Sequence, residues 1–387
     1  MVVRDIIYGD IEFSENEEKF IKTESFERMR RIKQLSFCEY IYPSATHTRY
    51  THSLGVAYII TQMYESIKQK FPNYFEEGDK ELLRMMALAH DIGHSPFSHS
   101  SEVLSELTHE ERMSDILQLE SKNVILDKSA FNVPDWKLIS QVYNGEGLIY
   151  LSNPRLFTLN RFMDNIIDAD KIDYLNRDGY FCGVEYSGFD RLDLIKNLTL
   201  IKGDSGIYEI GINKDGVRAL ESFVLARYYM FNQVYFHPLR RLYDILLKDE
   251  SIKILPNGYY PRDIKKFLTW DDTRIINKLK FLHEHTFECV YDGDFNTNVK
   301  KLIDKKFGEF VFCDTPRKSI YKGSSDDNDI MVYDKDLDVV VPATAVSPIL
   351  KGLEHAYIHK LRYYANKDIA KDMRAYIVKA LKQEGLV

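Results

Sequence analysis

The sequence predicts a mainly α-helical protein with a smaller mixed α+β lobe on its C-terminal side. Three observations carry that prediction. Apolar residues recur at helical spacing in the early chain, as in Phe20, Ile21, Phe26, Met29, Ile32 and Leu35. A nearly all-apolar run from Leu82 ends on His90-Asp91 and is broken by Gly93 and Pro96, as expected of a helix that comes out of a core and stops. From about residue 250 the texture changes, with Pro256-Asn-Gly258 as a turn and β-like runs such as Asp338 to Pro342 among helical stretches. The expected division is a helical core over residues 1–250 and an accessory or oligomerisation lobe over 251–387.

Taken in order, Val2 to Phe13 reads as short β structure with Gly9-Asp10 as its turn. Phe20 to Leu35 reads as one amphipathic helix whose other face carries Arg28, Arg30, Arg31 and Lys33. That face is either solvated or a wall for phosphate. Ser44 or Thr46 is placed to cap a helix running to about Lys70, on which Arg49 and His52 share a face. Residues 100–160 read as mixed helical segments, with Thr108-His-Glu110 as a polar trio. Between Phe162 and Tyr180, Asp170, Tyr174 and Asp178 are spaced four apart and lie along one helical face. Carboxylates on an inward face are costly unless cations or donors meet them. Asp168 and Asp173 fall off that stripe and read as solvent-facing or capping residues. Gly216 to Leu247 reads as a long helix with a kink at Pro238. Residues 259–286 read as helical, 287–346 as strand-rich, and 349–387 as helices around another extended piece.

Composition narrows the function classes. The formal charge of −7 argues against bulk nucleic-acid binding but leaves room for a local basic pocket. The four cysteines, Cys38, Cys182, Cys289 and Cys313, form no CxxC pair, which suits a reducing compartment. The first residues do not read as a signal peptide and no apolar run approaches 18 residues, so a soluble cytoplasmic protein with no membrane role is expected.

The chemistry concentrates around residue 90. Six of the eleven histidines, His47, His52, His90, His94, His99 and His109, lie within 63 residues. Adjacent His90 and Asp91 can offer one cation both an imidazole nitrogen and a carboxylate oxygen. A histidine cluster of this density calls for a metal or a proton-transfer site.

The separated set His52, His90-Asp91 and Asp170 resembles that of the HD-domain phosphohydrolases. Arg30 to Leu35, His47 to Gly55, His90 to His99, His109-Glu110 and Asp168 to Tyr174 narrow the resemblance to the deoxynucleoside triphosphate triphosphohydrolases. That group includes bacterial dGTPase-like enzymes and the SAM-and-HD-domain enzyme of animal cells. The resemblance spans residues 3 to 250, is weaker beyond, and includes no SAM domain. It implies an HD-domain helical core and a divalent metal (Mn, Mg, Fe, Co or Zn) held by His52, His90, Asp91 and Asp170. It also implies catalytic roles for His94, His99 and His109, with Glu102, one helical turn after His99, holding the His99 imidazole in one tautomer. Arg49 and Lys171 would bind phosphate oxygens, and His237 would also contact substrate. Gln34 and Asp178 would hold the sugar 3′-hydroxyl, Leu35 and Tyr235 would crowd the 2′ position, and Tyr174 would touch phosphate or sugar. Arg28 and Arg30 would belong to a regulatory nucleotide site.

The sequence departs from the group at two places. Lys22 and Glu27 flank Arg30 where an acid and an amide read a guanine, and Pro238 replaces a common lysine whose contact Arg240 or Arg241 would have to supply. The expectation is a metal-dependent dNTP triphosphohydrolase, homo-oligomeric as a dimer, tetramer or hexamer, and possible partner proteins stay unnamed. The alternatives are an HD phosphohydrolase acting on another nucleotide or on nucleic-acid ends, and a nucleotide-sensing effector in phage defence.

Overall fold

The computed structural model describes residues 1–121, 136–144, 153–203, 206–284, 286–308, 311–321, 329–383 and 385. The chain begins with an antiparallel hairpin, β1 (Val2–Asp5) and β2 (Gly9–Glu12), in which Gly9 takes a left-handed φ of 78°. Helices α1 (Glu15–Ile21) and α2 (Glu24–Arg28) follow, then a 3-10 turn at Met29–Arg31. The single helix expected over residues 20–35 is therefore three pieces. Thr23 breaks it: its hydroxyl donates to Phe20 O and accepts from Phe26 N, ending one helix and capping the next.

The long helix α3 (Arg49–Lys70) starts after Thr48, not at Ser44 or Thr46, because residues 43–48 stay non-helical. It packs against α4 (Asp79–Ala89), whose last turn hands the chain to His90. Helices α5 (His109–Glu120), α6 (Trp136–Tyr143) and α7 (Pro154–Asn160) are the described parts of the mixed helical stretch. The expectations for 122–135 and 145–152 lie outside the described residues. Helix α8 (Ala169–Cys182) carries the Asp170, Tyr174 and Asp178 stripe. Asp168 caps it, accepting from Lys171 N at 2.7 Å.

Helix α9 (Arg191–Asn197) leads into β3 (Leu198–Lys202) and β4 (Tyr208–Asn213). The long helix expected from 216 is α10 (Val217–Met230), a π-helical turn at Phe231–Tyr235, and α11 (Pro238–Ile254). Pro238 has no N–H to give the ladder, so the chain restarts there as a new helix. Three short helices, α12 (Ile264–Phe267), α13 (Asp272–Ile276) and α14 (Phe281–Glu284), fall within the described part of 259–286. Beyond them come β5 (Phe287–Asp294), α15 (Thr297–Phe307), β6 (Val311–Asp314), β7 (Arg317–Ser319), β8 (Met331–Asp334) and β9 (Val339–Pro342). The chain closes with α16 (Ala343–Val346), α17 (Pro348–Leu353), β10 (Tyr357–Asn366) and α18 (Lys367–Gln383).

The mainly helical class with a smaller sheet-bearing region holds, but the change of texture at 250 is not where the main core ends. One sheet has the order β3-β4-β8-β9, so two late strands extend the early β3-β4 pair, with β8 running parallel to β4. The main apolar core accordingly reaches Leu255, Phe267, Ile275, Ile320, Val332 and Leu350. A second, smaller core of Val290, Ile303, Leu361, Tyr363, Met373 and Ile377 lies between the β5-β10-β6 sheet and helices α15 and α18.

Candidate active site

Helices α3, α4 and α8 deliver the polar groups. Close approach of α3 to α8 depends on Gly55, where a Cβ would sit 2.1 Å from Asp173 Oδ1 and 2.2 Å from Arg177 Nη2. With that approach, His52 Nε2 lies 2.9 Å from Asp170 Oδ1, 3.3 Å from His90 Nε2 and 3.6 Å from Asp91 Oδ2. His90 Nε2 lies 3.3 Å from Asp91 Oδ1 and 3.7 Å from Asp170 Oδ1. Thus His52, His90, Asp91 and Asp170 turn their donor atoms to one point.

The far side of each imidazole is fixed. His52 Nδ1 donates to Asp173 Oδ2 at 2.7 Å, and His90 Nδ1 donates to Ala87 O at 2.7 Å. A proton held on Nδ1 leaves the Nε2 lone pair facing inward, the tautomer a metal requires. Asp173 is itself gripped by Arg177 at 2.9 and 3.0 Å, and Arg177 also donates to Asp5 at 2.9 Å. Asp173, expected to be solvent-facing or capping, is thus fully buried and orients His52. Asp168 is a cap, as one of its two readings had it, but it too is buried. Without a cation, burial works against charge on His52, yet its bonds to Asp170 and Asp173 prevail and push its pKa up to about 10, so a metal binds there by displacing the Nε2 proton. Asp91 is held well below the usual carboxylate range, because Arg49, His90 and His94 outweigh its burial. Such a concentration of charge around two inward lone pairs suits a divalent cation, and the buried donors of His52, His90 and Asp91 are close enough to share one.

A second group lies beside the first. Gly93 has no room for a Cβ, which would meet His109 O at 2.0 Å, so the start of α5 packs directly on the turn after Asp91. There the His94 and His109 rings stack with centroids 4.0 Å apart, and His94 Nε2 is 3.3 Å from Asp91 Oδ1. Glu102 accepts from His109 Nδ1 at 2.7 Å and from His99 Nδ1 at 3.0 Å. Burial, then Arg49 and His109, hold the His94 pKa well below the ordinary value. His109 is raised, because its bond to Glu102 outweighs burial.

The loop carrying these histidines is strained and tied down. Phe97 and Ser98 have φ values of 60° and 56° without being glycine. Phe97 N donates to Asp272 Oδ1 at 2.7 Å, and Arg49 Nε donates to Ser98 Oγ at 2.7 Å. Arg28, which the sequence reading placed in a basic face and a regulatory site, is buried instead. Its guanidinium donates to Trp270 O at 2.7 Å and to His94 O at 3.0 Å, so it braces this loop and offers no free face to a nucleotide. Arg30 is more open, paired with Glu27 and stacked on Tyr50. Arg31 and Lys33 are paired with Asp271 and Glu39, so the expected basic wall is a set of ion pairs.

Both groups open on a cavity of about 700 Å³. Its lining includes Gln34, Leu35, Arg49, Lys171, Tyr174, Asp178 and Tyr235. Gln34 Oε1 is buried with no hydrogen-bond partner among the described residues. Asp178 accepts from His47 Nε2 at 2.8 Å and from the Tyr235 hydroxyl at 2.7 Å. His237 is not part of the lining; its Nδ1 accepts from Leu239 N at 3.2 Å and caps α11. Cavity residues not foreseen include Tyr143, Arg227, Lys248, Arg317 and Lys318. Arg240 and Arg241, named as stand-ins at Pro238, line it as well. A remote cation gives no local sequence signal, whereas Asp173 could have been found as an i,i+4 partner of Arg177 on a second buried face.

Known proteins settle the kinship. The HD-domain profile matches residues 49–138, and the HD-associated-region profile matches residues 189–291. An uncharacterised protein of Methanocaldococcus jannaschii is 30% identical over 98% of this chain and 82% of its own length. The chain belongs to the HD-domain family. The HD match includes His52, His90, Asp91, His94, His99, Glu102 and His109, while Asp170 falls between the two matched regions. A crystal structure of a hypothetical protein from Aquifex aeolicus superposes with a TM-score of 0.81 at 27% identity, covering 97% of this chain and 99% of that one. A protein described as a SAMHD1 homologue, deoxynucleoside triphosphate triphosphohydrolase, from Dictyostelium discoideum is 27% identical over 79% of this chain. This HD chain spans 60% of that relative's length. Among the described residues, no helix is long and apolar enough to cross a membrane.

Proposed function

We propose that this HD protein is a metal-dependent dNTP triphosphohydrolase, releasing deoxynucleoside and inorganic triphosphate. The observation that carries the reading is one cavity with a cation-binding cluster on its floor, basic side chains on its wall and a sugar-sized polar corner. The Dictyostelium relative's description points the same way.

His52, His90, Asp91 and Asp170 would hold the divalent cation, which supplies Lewis-acid polarisation to a phosphoryl oxygen when bound. Arg49 and Lys171 bind phosphate oxygens; Lys171 keeps its charge because Asp168 outweighs the effect of burial. Water adds to the α-phosphorus, the bond to the 5′-oxygen breaks, and that oxygen takes a proton. His109 is the side chain set to hold that proton, with Glu102 raising its basicity. His94 and His99 position the phosphate beside it. Gln34 Oε1 is an acceptor suited to the 3′-hydroxyl, and Asp178 lies at the same corner. Leu35 and Tyr235 would crowd a 2′-hydroxyl, and a hydrogen bond to water lost there without replacement costs ribose about 1–3 kcal/mol.

Incubation of metal-loaded protein with each dNTP and rNTP, with products separated by chromatography, tests the reading. Deoxynucleoside and triphosphate are expected from dNTPs. Release of pyrophosphate or orthophosphate, or equal kcat/KM for both sugars, would overturn it.

A further inference from the structure

The hairpin β1-β2 lies outside both matched profiles, yet two of its residues close on a side chain that serves the metal-binding floor. Asp5, the last residue of β1, is 8% exposed. Its Oδ1 accepts from Ile7 N at 2.8 Å and from Tyr8 N at 3.0 Å, so the turn itself fixes the carboxylate. Its Oδ2 is left to accept from Arg177 Nη1 at 2.9 Å. Tyr8 adds its ring, whose centroid lies 5.5 Å from Arg177 Cζ and which stacks on Tyr58 of α3 at 4.7 Å. One turn thus offers Arg177 both a carboxylate and an aromatic face.

From Arg177 the bonds run inward along a single path. Its Nε and Nη2 donate to Asp173 Oδ2 and Oδ1 at 2.9 and 3.0 Å, and the same Oδ2 accepts from His52 Nδ1 at 2.7 Å. Arg177, Asp173 and His52 are fully buried. Coulomb attraction is strong where water is excluded, so a guanidinium facing one carboxylate would hold most of that carboxylate's charge on its own side. Facing two, it leaves more of the Asp173 charge for the His52 N–H, and hydrogen bonds in a chain strengthen one another. A stronger acceptor behind Nδ1 makes Nε2 a better metal ligand. Asp5 also fixes the plane of the guanidinium, and with it the place of Asp173 Oδ2.

We infer that Asp5 is a positioning residue for the metal: through Arg177 and Asp173, the hairpin sets how firmly His52 holds the cation. The inference rests on the metal set of the proposed function and not on the identity of the substrate.

Manganese(II) can be titrated into the 387-residue chain, with the free ion followed by electron paramagnetic resonance. Asp5→Asn keeps an oxygen for Ile7 N and Tyr8 N but removes the charge from Arg177. It is expected to weaken manganese binding about three- to tenfold, less than the loss of a histidine's own partner. Asp5→Glu should restore most of that loss. Asp10→Asn, at the exposed pair with Arg4 on the same hairpin, is the control and should change nothing. The downfield proton resonance of His52 Nδ1–H, identified by its loss in Asp173→Asn, should move upfield in Asp5→Asn and stay in place in Asp10→Asn. Should Asp5→Asn fail to fold, Arg177→Lys carries the same test, because one ammonium cannot bridge two carboxylates as a guanidinium does. Unchanged manganese affinity in the folded variant overturns the inference. So does a loss that Asp10→Asn shares, or one that leaves the His52 resonance unmoved, since a loosened hairpin would do either. Asp5-dependent affinity in a protein that leaves every dNTP intact supports the inference and defeats the dNTP reading alone.

Discussion

His52 and His90 are anchored from behind, whereas His94 and His109 are anchored to each other. In the first pair each Nδ1 has its own fixed acceptor, Asp173 or Ala87 O. In the second, His94 Nδ1 has no hydrogen-bond partner among the described residues, and the two rings stack at 4.0 Å while Glu102 steadies His109. The first pair is built to keep lone pairs still. The second leaves one ring nitrogen free for a ligand and lets a proton reside on the other ring. Identical side chains thus acquire different chemistry from what stands behind them.

The widest separation is expected from alanine at each pair. His90→Ala should lose bound metal and at least about a thousandfold in turnover, since a Lewis acid supplies several kcal/mol. His94→Ala should keep its metal by elemental analysis and still lose roughly a hundredfold or more. Equal metal loss in both variants would erase the contrast. Asp173→Asn tests the anchor alone: metal affinity should fall roughly 10–100-fold in a folded protein, as the amide can no longer fix His52 in one tautomer. Titration with a competing chelator reads that change.

The third expectation concerns the sugar corner. Tyr235→Ala should narrow dNTP over rNTP selectivity in kcat/KM by about tenfold to a hundredfold. Asp178→Asn should narrow it less; because Tyr235 donates to Asp178, the effects of the two changes should not add.

The last effect is on stability and belongs to the brace behind the second pair. Burial raises the Asp272 pKa to about 6, although two backbone N–H groups donate to it. The native state therefore binds this proton more tightly than the unfolded chain, whose carboxyl titrates near 4. Stability from this group rises as pH falls from about 6 to about 4 and is constant below. Asp272→Asn should abolish that rise, worth about 3 kcal/mol between a pKa of about 6 and one near 4. Urea unfolding at pH 7, 5.5 and 4.5 measures it, and parallel pH curves for both proteins would refute it.

The floor of the site was legible because its signals are local. His90-Asp91 is contiguous at the end of an apolar run, and Asp170, Tyr174 and Asp178 keep a four-residue period. Asp173 was misread because α8 is buried on more than one face, so a residue off the main stripe is not thereby in water. Arg28 was misread because a cation on an amphipathic pattern resembles a solvated one until the carbonyls of Trp270 and His94 are brought to it. Lys318 and Asp272 could not be seen at all, since long-range pairing alone carries them to the histidine loop and cavity. The hairpin at 2–12 was readable by its β-like residues and the Gly9-Asp10 turn, and the strand at 339–342 by its run of valines, whereas the break at Thr23 is made by one hydroxyl that periodicity does not register.

The parallel pairing of β4 with β8 has a consequence for how the chain is made. Ile212 and Val332, opposite each other in that pair, are 120 positions apart. At about 5–20 residues per second of synthesis, the early β3-β4 hairpin stays without its third strand for roughly 6–24 s. During that interval β4 offers an open edge that β8 later covers. A ribosome-bound chain stopped near residue 300 should therefore need a chaperone to keep that edge from pairing with another nascent chain.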